Sequence, residues 1–354
     1  MFEYLFKFDN SDLFKEKWNH FLCQQPASIK YTELYLEYSL ALSESVEDYS
    51  FVMLLNEEVV GIAFLPIETL QSGAKWISLS GNYIIAPLAS NPKATGAIFK
   101  KIDFIAKKHL VKKIMFDVDP LVSNNGDNVN QLLKYGYIDT SCTNYLIDLG
   151  VTKKEFWENL GTSHRKTIKK FKAKETYGIQ LYTGESSERK IFDLYQNAHF
   201  ICAGRQTRSQ RSFDLQFEMM QAGQASLMVM EYDNNQVGFL FTAMFQKTAV
   251  LCSTANLPNY EDRVPIYKLL ILNTFYYLKD QRYDWVQFGQ PANRSLVSGF
   301  DNYCDEKQLR ISKYKRGYNP LEVPHFRGIK YYDKPTFSDD LKVFETKVLE
   351  VIKK

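Results

Sequence analysis

The fold of this chain is decided by residues 226–289, which read SLMVMEYDNNQVGFLFTAMFQKTAVLCSTANLPNYEDRVPIYKLLILNTFYYLKDQRYDWVQFG. Two β-rich runs flank Asn234-Asn235, and a short polar pair of this kind predicts a β-hairpin. A third β-rich run follows, and then an apolar segment whose Pro265 suits the first position of a helix. The predicted elements are strands at 226–233, 236–246, 248–256 and 284–289 and a helix at 265–281.

The first half of the chain shows the same order of elements. Its predicted elements are helices within 11–42, strands at 51–55, 59–67, 76–86, 113–120 and 143–150, and helices at 97–110 and 129–137. In the second half, a strand at 178–182 and helices at 188–202 and 213–223 precede the hairpin, and a helix at 294–300 and a strand at 307–317 end the pattern. An internal repeat of ~150 residues indicates duplicated domains.

We therefore expect a mixed α/β (α+β) protein with two tandem domains, each a mixed, mostly antiparallel sheet flanked by helices. A chain of 354 residues fits this expectation, because domains average ~150 residues. The predicted boundaries are 1–152 for the first domain, 153–177 for a basic helical connector, 178–330 for the second domain, and 331–354 for a helical tail capped by Ser338.

The composition is that of a globular protein with a substantial core. Hydrophobic residues make up 45% of the chain, and 44 basic residues against 41 acidic ones give a net charge of +3. This balance predicts no DNA partner. The N-terminus has no apolar signal segment, and no run approaches the ~18 apolar residues of a membrane span, so we expect a soluble, cytoplasmic protein.

The cysteines and histidines indicate neither a disulfide framework nor a metal site. There are five of each, the cysteines form no CxxC pair, and the histidines have no ligand spacing. No cysteine has a His or an acid beside it in a recognisable motif, so the sequence predicts no nucleophilic cysteine. A reducing compartment fits this pattern.

The order of elements resembles the GNAT acyltransferase fold, and its tandem form resembles the Fem-type (FemABX) peptidoglycan aminoacyltransferases. Three stretches carry the likeness, within about 30–330: FWENLGTSHRKTIKKFKAKETYGIQLY at 156–182, ANLPNYEDRVPIYKLLILNTFYYLKDQRYDWVQFGQ at 255–290, and KQLRISKYKRGYNP at 307–320. The resemblance implies transfer of an acyl or aminoacyl group to the amine of a cell-envelope precursor.

The segments that would bind coenzyme A depart from the usual GNAT pattern. An acetyl-CoA-binding domain carries a glycine-rich loop whose backbone amides hold the pyrophosphate at a helix N-terminus. Here 256–265 contains no glycine, and 90–96 contains one. Fem-type proteins lack a strong loop of this kind and use aminoacyl-tRNA. The resemblance therefore implies no permanently bound cofactor, with aminoacyl-tRNA or an acyl-CoA as the donor substrate.

The resemblance also suggests candidate catalytic residues. Fem-type sites use a lysine near the last stretch to stabilise developing charge, and Lys315 occupies that place, with Lys313 and Arg316 as substrate-binding neighbours. If 307–317 is a strand, Lys313 and Lys315 share one face. Tyr260 and Asp262 stand where the glycine-rich loop would be and are candidates for acid or base. Alternatively, Asp262 contributes only to the start of the next helix.

Two basic segments are candidates for substrate binding. Arg205, Arg208 and Arg211 lie between two predicted helices, and arginines can hold phosphate or carboxylate with two hydrogen bonds. Lys166, Lys169 and Lys170 lie in the basic connector and could contact tRNA or another polyanion. A solvated loop and a solvated helix face explain the two patterns equally well.

Three functions remain open at this stage. The first is aminoacyl or acyl transfer to a small-molecule or lipid-linked precursor, with tRNA as a partner and peripheral membrane association through the substrate. The second is acetyl-CoA-dependent N-acetylation of an amino sugar or similar metabolite. The third is a catalytically inactive GNAT pair that acts as a binding protein.

Overall fold

The structure, a computed structural model, describes residues 1–43, 45–122, 129–173 and 175–353. Up to residue 139 the chain forms strands β1 Phe2–Phe6, β2 Val46–Asp48, β3 Phe51–Leu55, β4 Glu58–Ala63, β5 Pro66–Thr69, β6 Lys75–Ile77, β7 Ile84–Ile85, β8 Leu88–Ala89, β9 Val111–Asp117 and β10 Ile138–Asp139. Helices in this part are α1 Ser11–Gln24, α2 Glu33–Leu40 and α3 Pro92–Lys108.

The middle of the chain contains the elements around the hairpin. Its strands are β11 Cys142–Asp148, β12 Gly178–Tyr182, β13 Ala225–Tyr232, β14 Asn235–Phe245, β15 Thr248–Asn256 and β16 Trp285–Gln287. Its helices are α4 Lys153–Asn159, α5 Thr162–Lys172, α6 Arg189–Ala203, α7 Gln210–Gln221 and α8 Ile266–Asp280. The last elements are β17 Val297–Gly299, β18 Asn302–Tyr303, α9 Glu306–Arg316, β19 Leu321–His325, β20 Arg327–Tyr331 and α10 Lys334–Ile352.

The strands form separate sheets. The described strand orders are β1-β3-β4-β8, β10-β20-β9-β6-β5-β2 with β7 also on β9, β12-β13-β14-β15-β16-β11-β19, and the pair β17-β18. The pairs β15–β16, β6–β9 and β7–β9 are parallel, and the other pairs with a defined register are antiparallel. The predicted mixed α/β class with mostly antiparallel sheets is confirmed, and so is the hairpin of 226–246, as β13 and β14.

The chain splits into two compact units. Unit 1 contains Met1–Thr143, Asn293–Leu309 and Pro324–Lys354, and unit 2 contains Asn144–Ala292 and Arg310–Val323. The segment predicted as a connector forms two helices, α4 and α5, both within unit 2. The segment predicted as a tail forms α10 within unit 1, and its N-cap is Asp333 where Ser338 was predicted.

One predicted strand is wrong in a way that matters for the site. Residues 307–317 form most of helix α9, not a strand. Asp305 and Gln308 exchange hydrogen bonds between side chains and backbone amides, of 2.7 and 2.8 Å, and this reciprocal cap starts a helix. Residues two apart on a helix do not share a face, so the prediction that Lys313 and Lys315 do is also wrong.

Two smaller predictions need correction. The predicted helix at 294–300 contains strand β17, and the predicted strand at 76–86 is broken into β6 and β7. The break follows from Ser80 and Gly81, which have φ values of 50° and 71° and make a tight turn. The N-terminal strand β1 was not predicted, because charges interrupt its apolar residues.

Helix α8 packs on the sheet of unit 2 at Gly238. A Cβ atom at position 238 would lie 2.1 Å from Ile266 Cγ2 and 3.3 Å from Leu270 Cδ1. Ile266 and Leu270 are buried in the core of unit 2. Glycine at 238 therefore sets the distance between α8 and strand β14.

We expect Gly238→Ala to destabilise the protein by about 1–3 kcal/mol, because the extra methyl overpacks the contact with α8. Gly178→Ala is the matched control in the same sheet, since a Cβ there makes ordinary contact at 3.5 Å. Urea denaturation followed by circular dichroism measures both variants. Equal stability of the two variants would contradict this account of the packing.

Candidate active site

The candidate site lies in unit 2, where two neighbouring parallel strands part. Strands β15 and β16 pair over three positions and the last is Val250 with Gln287. β15 continues to Asn256, paired with β14 on its other side. Within the described chain, no strand lies beside residues 252–256 on the edge that β16 has left. Backbone groups on such an edge can bind the carbonyl oxygen of an acyl group.

A β-bulge changes the direction of the side chains at this point of β15. Phe241 of β14 pairs with Ser253 and the next residue pairs with Leu251, so Cys252 is the extra residue. Bulges of this kind re-aim side chains beside functional sites. The Ser253 hydroxyl is hydrogen-bonded to the hydroxyl of Tyr195 from α6. Burial raises the pKa of Tyr195, so this hydroxyl stays protonated.

Lys315 contacts the backbone where β16 ends. Its Nζ donates a hydrogen bond of 2.7 Å to the carbonyl of Phe288, the residue directly after β16. Burial lowers the pKa of Lys315 from its ordinary 10.5 to about 8. A lysine with such a pKa can change its charge near neutral pH, as groups at reactive centres do. Of the two other predicted residues on α9, Lys313 is exposed and Arg316 donates to the hydroxyl of Tyr145 at 3.0 Å.

The C-terminal end of α9 is held against the start of α5. The amide of Gly161 donates to the carbonyl of Gly317 at 2.8 Å, and a Cβ at 317 would lie 2.4 Å from the ring of His164. The rings of Tyr314 and Tyr318 pack on the same histidine, at 4.9 and 4.7 Å. The stretches GTSHRK and KYKRGY therefore meet, and their packing positions Lys315.

The three predicted arginines lie in different environments. Arg205 lines an open pocket of about 320 Å³ between α6 and α7, together with His199 and Phe213. Arg208 lies over the ring of Phe213 at 5.8 Å. Burial and the charge of Arg208 lower the pKa of His199 to about 4, so this histidine is neutral. Arg211 forms an ion pair of 2.6 Å with Glu218 on the surface of α7.

The two predicted acid–base residues lie in the turn before α8. Tyr260 packs against the core, accepts a hydrogen bond of 3.3 Å from Asn235, and lies under Arg263. Asp262 is exposed, and the N-cap position of α8 is occupied by Pro265 with no side-chain capping hydrogen bond, so Asp262 does not cap the helix. Glu261, which the sequence analysis did not single out, accepts a hydrogen bond of 2.9 Å from Asn256 at the end of β15.

Most backbone amides of the turn before α8 are already bonded within the turn. The amides of Arg263 and Val264 donate to the carbonyl of Tyr260 at 3.2 and 2.9 Å, and the amide of Ile266 donates to Val264 at 2.8 Å. Pro265 has no N–H group. Residues 263–266 therefore have no amide left for a phosphate. A coenzyme A cradle depends on such amides.

The basic residues of α5 face solvent. Lys166, Lys169 and Lys170 are exposed, whereas His164 and Ile168 are buried. Lys169 lies 6.0 Å from the ring centre of Trp157. Lys174, which also falls in the predicted connector, lies outside the described residues. The helix thus presents positive charge on one side and packs with the other.

The described part of the chain contains neither a cluster of side chains placed to hold a metal ion nor a membrane-spanning helix. No group of three or more His, Cys, Asp or Glu side chains in that part of the chain is placed to hold a metal ion. No helix among the same residues has the length and apolarity needed to cross a membrane.

The comparisons with known proteins address the fold. No family model matches the sequence and no curated protein matches it. Among solved structures, the chain is similar to FemX, with a TM-score of 0.64, 12% identity, and coverage of 92% of this chain and 97% of that chain. It is also similar to the C-terminal domain of a putative lysylphosphatidylglycerol synthetase from Agrobacterium fabrum, with a TM-score of 0.58, 12% identity and 95% coverage of both chains.

A third similar solved structure carries the name GNAT. A tandem GNAT protein from the clavulanic acid biosynthesis pathway matches with a TM-score of 0.51 and 12% identity, over 94% of this chain and 98% of that chain. The chain therefore has a tandem GNAT-like fold, as the sequence analysis expected.

The lowered pKa of Lys315 predicts a pH-dependent stability. Above pH 8 the folded protein has lost a proton that the unfolded chain keeps up to its ordinary pKa of 10.5, so the stability contributed at this position rises with pH across that window. Between pH 7 and pH 10, we expect wild type to gain about 2 kcal/mol relative to Lys315→Met.

Urea denaturation of both proteins at several pH values measures this difference. The contributions of the titratable groups that both proteins share cancel when their free energies of unfolding are subtracted. Lys313→Met on the exposed side of α9 is the control and should show no such trend. A wild-type minus Lys315→Met difference that does not change with pH would show that Lys315 is not desolvated.

Proposed function

We propose that unit 2 transfers an aminoacyl group from aminoacyl-tRNA to an amine of a cell-envelope precursor. The observation that carries this proposal is the half-buried Lys315 at the point where β15 and β16 part. Attack of an amine on an acyl ester builds negative charge on the carbonyl oxygen, and a desolvated cation stabilises that charge more strongly than an exposed one does.

The roles of the residues follow from their environments. Protonated Lys315 is the cation for the oxyanion, and the open edge of β15 receives the acyl group. Arg205 in the pocket between α6 and α7 is available to a carboxylate or phosphate of the acceptor, since its side chain is exposed there. Tyr195 and Ser253 form a neutral hydroxyl pair beside that edge, suited to orienting the acyl donor.

The turn before α8 supports tRNA over coenzyme A as the donor. Its amides at 263, 264 and 266 are already bonded within the turn, whereas α5 presents exposed lysines that suit a long polyanion. The names FemX and lysylphosphatidylglycerol synthetase among the similar structures support an acceptor in the cell envelope. On this proposal the protein acts in the cytoplasm, where charged tRNA is found.

The role of Lys315 as a cation predicts a specific pH profile. As pH rises through about 8, Lys315 loses its charge and turnover should fall. Lys315→Arg keeps its charge, so any activity it retains should not show this fall. Lys315→Met should lower kcat ~100-fold or more, in the range that one oxyanion donor contributes.

The measurement is transfer of a radiolabelled amino acid from charged tRNA to a panel of amine-bearing envelope precursors, with Lys313→Met as the control. Full activity of Lys315→Met on the accepted precursor would remove Lys315 from the mechanism.

The basic face of α5 predicts salt-dependent donor binding. Replacing Lys166, Lys169 and Lys170 by Gln should weaken binding of charged tRNA and flatten the plot of log Kd against log salt, by about 0.7 for each lost contact to single-stranded RNA. The reason is that each phosphate contact releases counterions. Fluorescence anisotropy at several salt concentrations gives the slope.

The matched control neutralises Lys93, Lys100 and Lys107, which are exposed on helix α3 of unit 1. Both triple variants lose the same net charge. If the two slopes fall equally, the effect comes from total charge, and α5 is not the contact surface.

A further inference from the structure

Unit 1 contains a thiol, an imidazole and a carboxylate in a row. Cys142 Sγ lies 3.8 Å from His325 Nδ1, and His325 Nε2 lies 2.9 Å from Asp117 Oδ2. The three residues are far apart in the sequence and belong to β11, β19 and β9. β11 and β19 are neighbours in one sheet, which brings Cys142 and His325 together.

The hydrogen bonds fix which nitrogen of His325 carries the proton. An ionised carboxylate can only accept, so Nε2–H donates to Asp117, and in the neutral imidazole Nδ1 is then the acceptor. Nδ1 is the atom that faces the thiol of Cys142. The imidazole is therefore oriented to take the thiol proton, as the base of a nucleophile–base–acid triad is.

The surrounding charges keep Asp117 ionised. Burial alone would raise its pKa, but Lys30 and His325 hold it at about 2. Lys30 Nζ lies 3.9 Å from Asp117 Oδ2 and 3.6 Å from Asp119 Oδ1. Burial lowers the pKa of His325 and Lys30 opposes its charge, yet the hydrogen bonds with Asp117 and Cys142 raise it overall. The environment thus favours an imidazole that accepts a proton.

Exposure matches the roles. The side chain of His325 is 9% exposed, and Cys142 is half-buried, which leaves part of it accessible to solvent. A nucleophile has to be reached by its substrate, and the base and the acid behind it do not.

We infer that Cys142, His325 and Asp117 form an acyl-transfer site in unit 1 that takes an acyl group from an activated ester. The Cys142 sulfur forms a bond to the acyl carbon and the bond from that carbon to the ester oxygen breaks. The thiol proton passes to His325 Nδ1 and then to the leaving oxygen, giving a thioester and an alcohol. Attack by an amine or water on the thioester forms the final product, breaks the C–S bond and returns a proton to the sulfur. This inference does not rest on the function proposed for unit 2.

The test is acylation of the full chain by p-nitrophenyl acetate, with each cysteine followed by peptide mass spectrometry after digestion in acid. Cys304 is the internal control: it is also half-buried, and its thiol donates to the carbonyl of Ser295 at 3.1 Å. We expect Cys142 to be acetylated ~100-fold faster than Cys304, the size of effect that a positioned base contributes.

Variants separate the triad from simple accessibility. His325→Gln should reduce the rate at Cys142 to that at Cys304, and Asp117→Asn should reduce it at least tenfold, because an amide no longer fixes the proton on Nε2 of His325. Asp103→Asn, a half-buried carboxylate of unit 1 that is paired with Lys330 at 2.7 Å, should leave the rate unchanged. Equal rates at Cys142 and Cys304 in wild type would overturn the inference, and this comparison needs no variant to fold. An unchanged rate in folded His325→Gln would overturn it as well.

Discussion

The candidate site of unit 2 depends on one feature of strand pairing: β15 and β16 pair over three positions only. Two parallel neighbours that part leave backbone groups of the longer strand without a partner strand. In unit 2 the longer strand, β15, is unbroken and carries a bulge at Cys252. Lys315 reaches the carbonyl of Phe288 just where the shorter strand ends. The opening between the strands lies directly beside the bulge, and the half-buried Lys315 contacts the end of the shorter strand.

In the described part of unit 1, the corresponding parallel strands leave no open edge. Its parallel pair β6–β9 is followed by the turn at Ser80-Gly81, and the chain returns as β7 to pair with β9 at Phe116 and Asp117. The edge of β9 that β6 leaves is therefore occupied again. The two units therefore differ at this position: β15 and β16 part in unit 2, whereas β7 fills the corresponding gap in unit 1. Unit 1 also contains a separate group of side chains, Asp117, Cys142 and His325.

Much of the architecture was predictable from the sequence, because hairpins and amphipathic helices are local patterns. Asn234-Asn235 predicted the β13–β14 hairpin. The two residues between its strands are Asp233 and Asn234, with positive φ values of 55° and 58°. Helix α9 was predicted as a strand because Leu309 and Ile311 alternate with polar residues, whereas the cap formed by Asp305 and Gln308 starts a helix. The parts of the site that depend on tertiary contact were not predictable: the burial of Lys315, the bond between Glu261 and Asn256, and the meeting of Cys142 with His325 across 183 positions of sequence.

The proposed donor is charged tRNA, and in the turn before α8 the amides of Arg263, Val264 and Ile266 are bonded within the turn, where a coenzyme A pyrophosphate would otherwise contact them. The most direct measurement offers the wild-type protein a mixture of charged tRNA and acetyl-CoA, each with a distinct radiolabel, together with amine-bearing envelope precursors. The account predicts that label from the aminoacyl-tRNA appears on a precursor and that label from acetyl-CoA does not. Transfer of the acetyl label with no transfer from tRNA would contradict it.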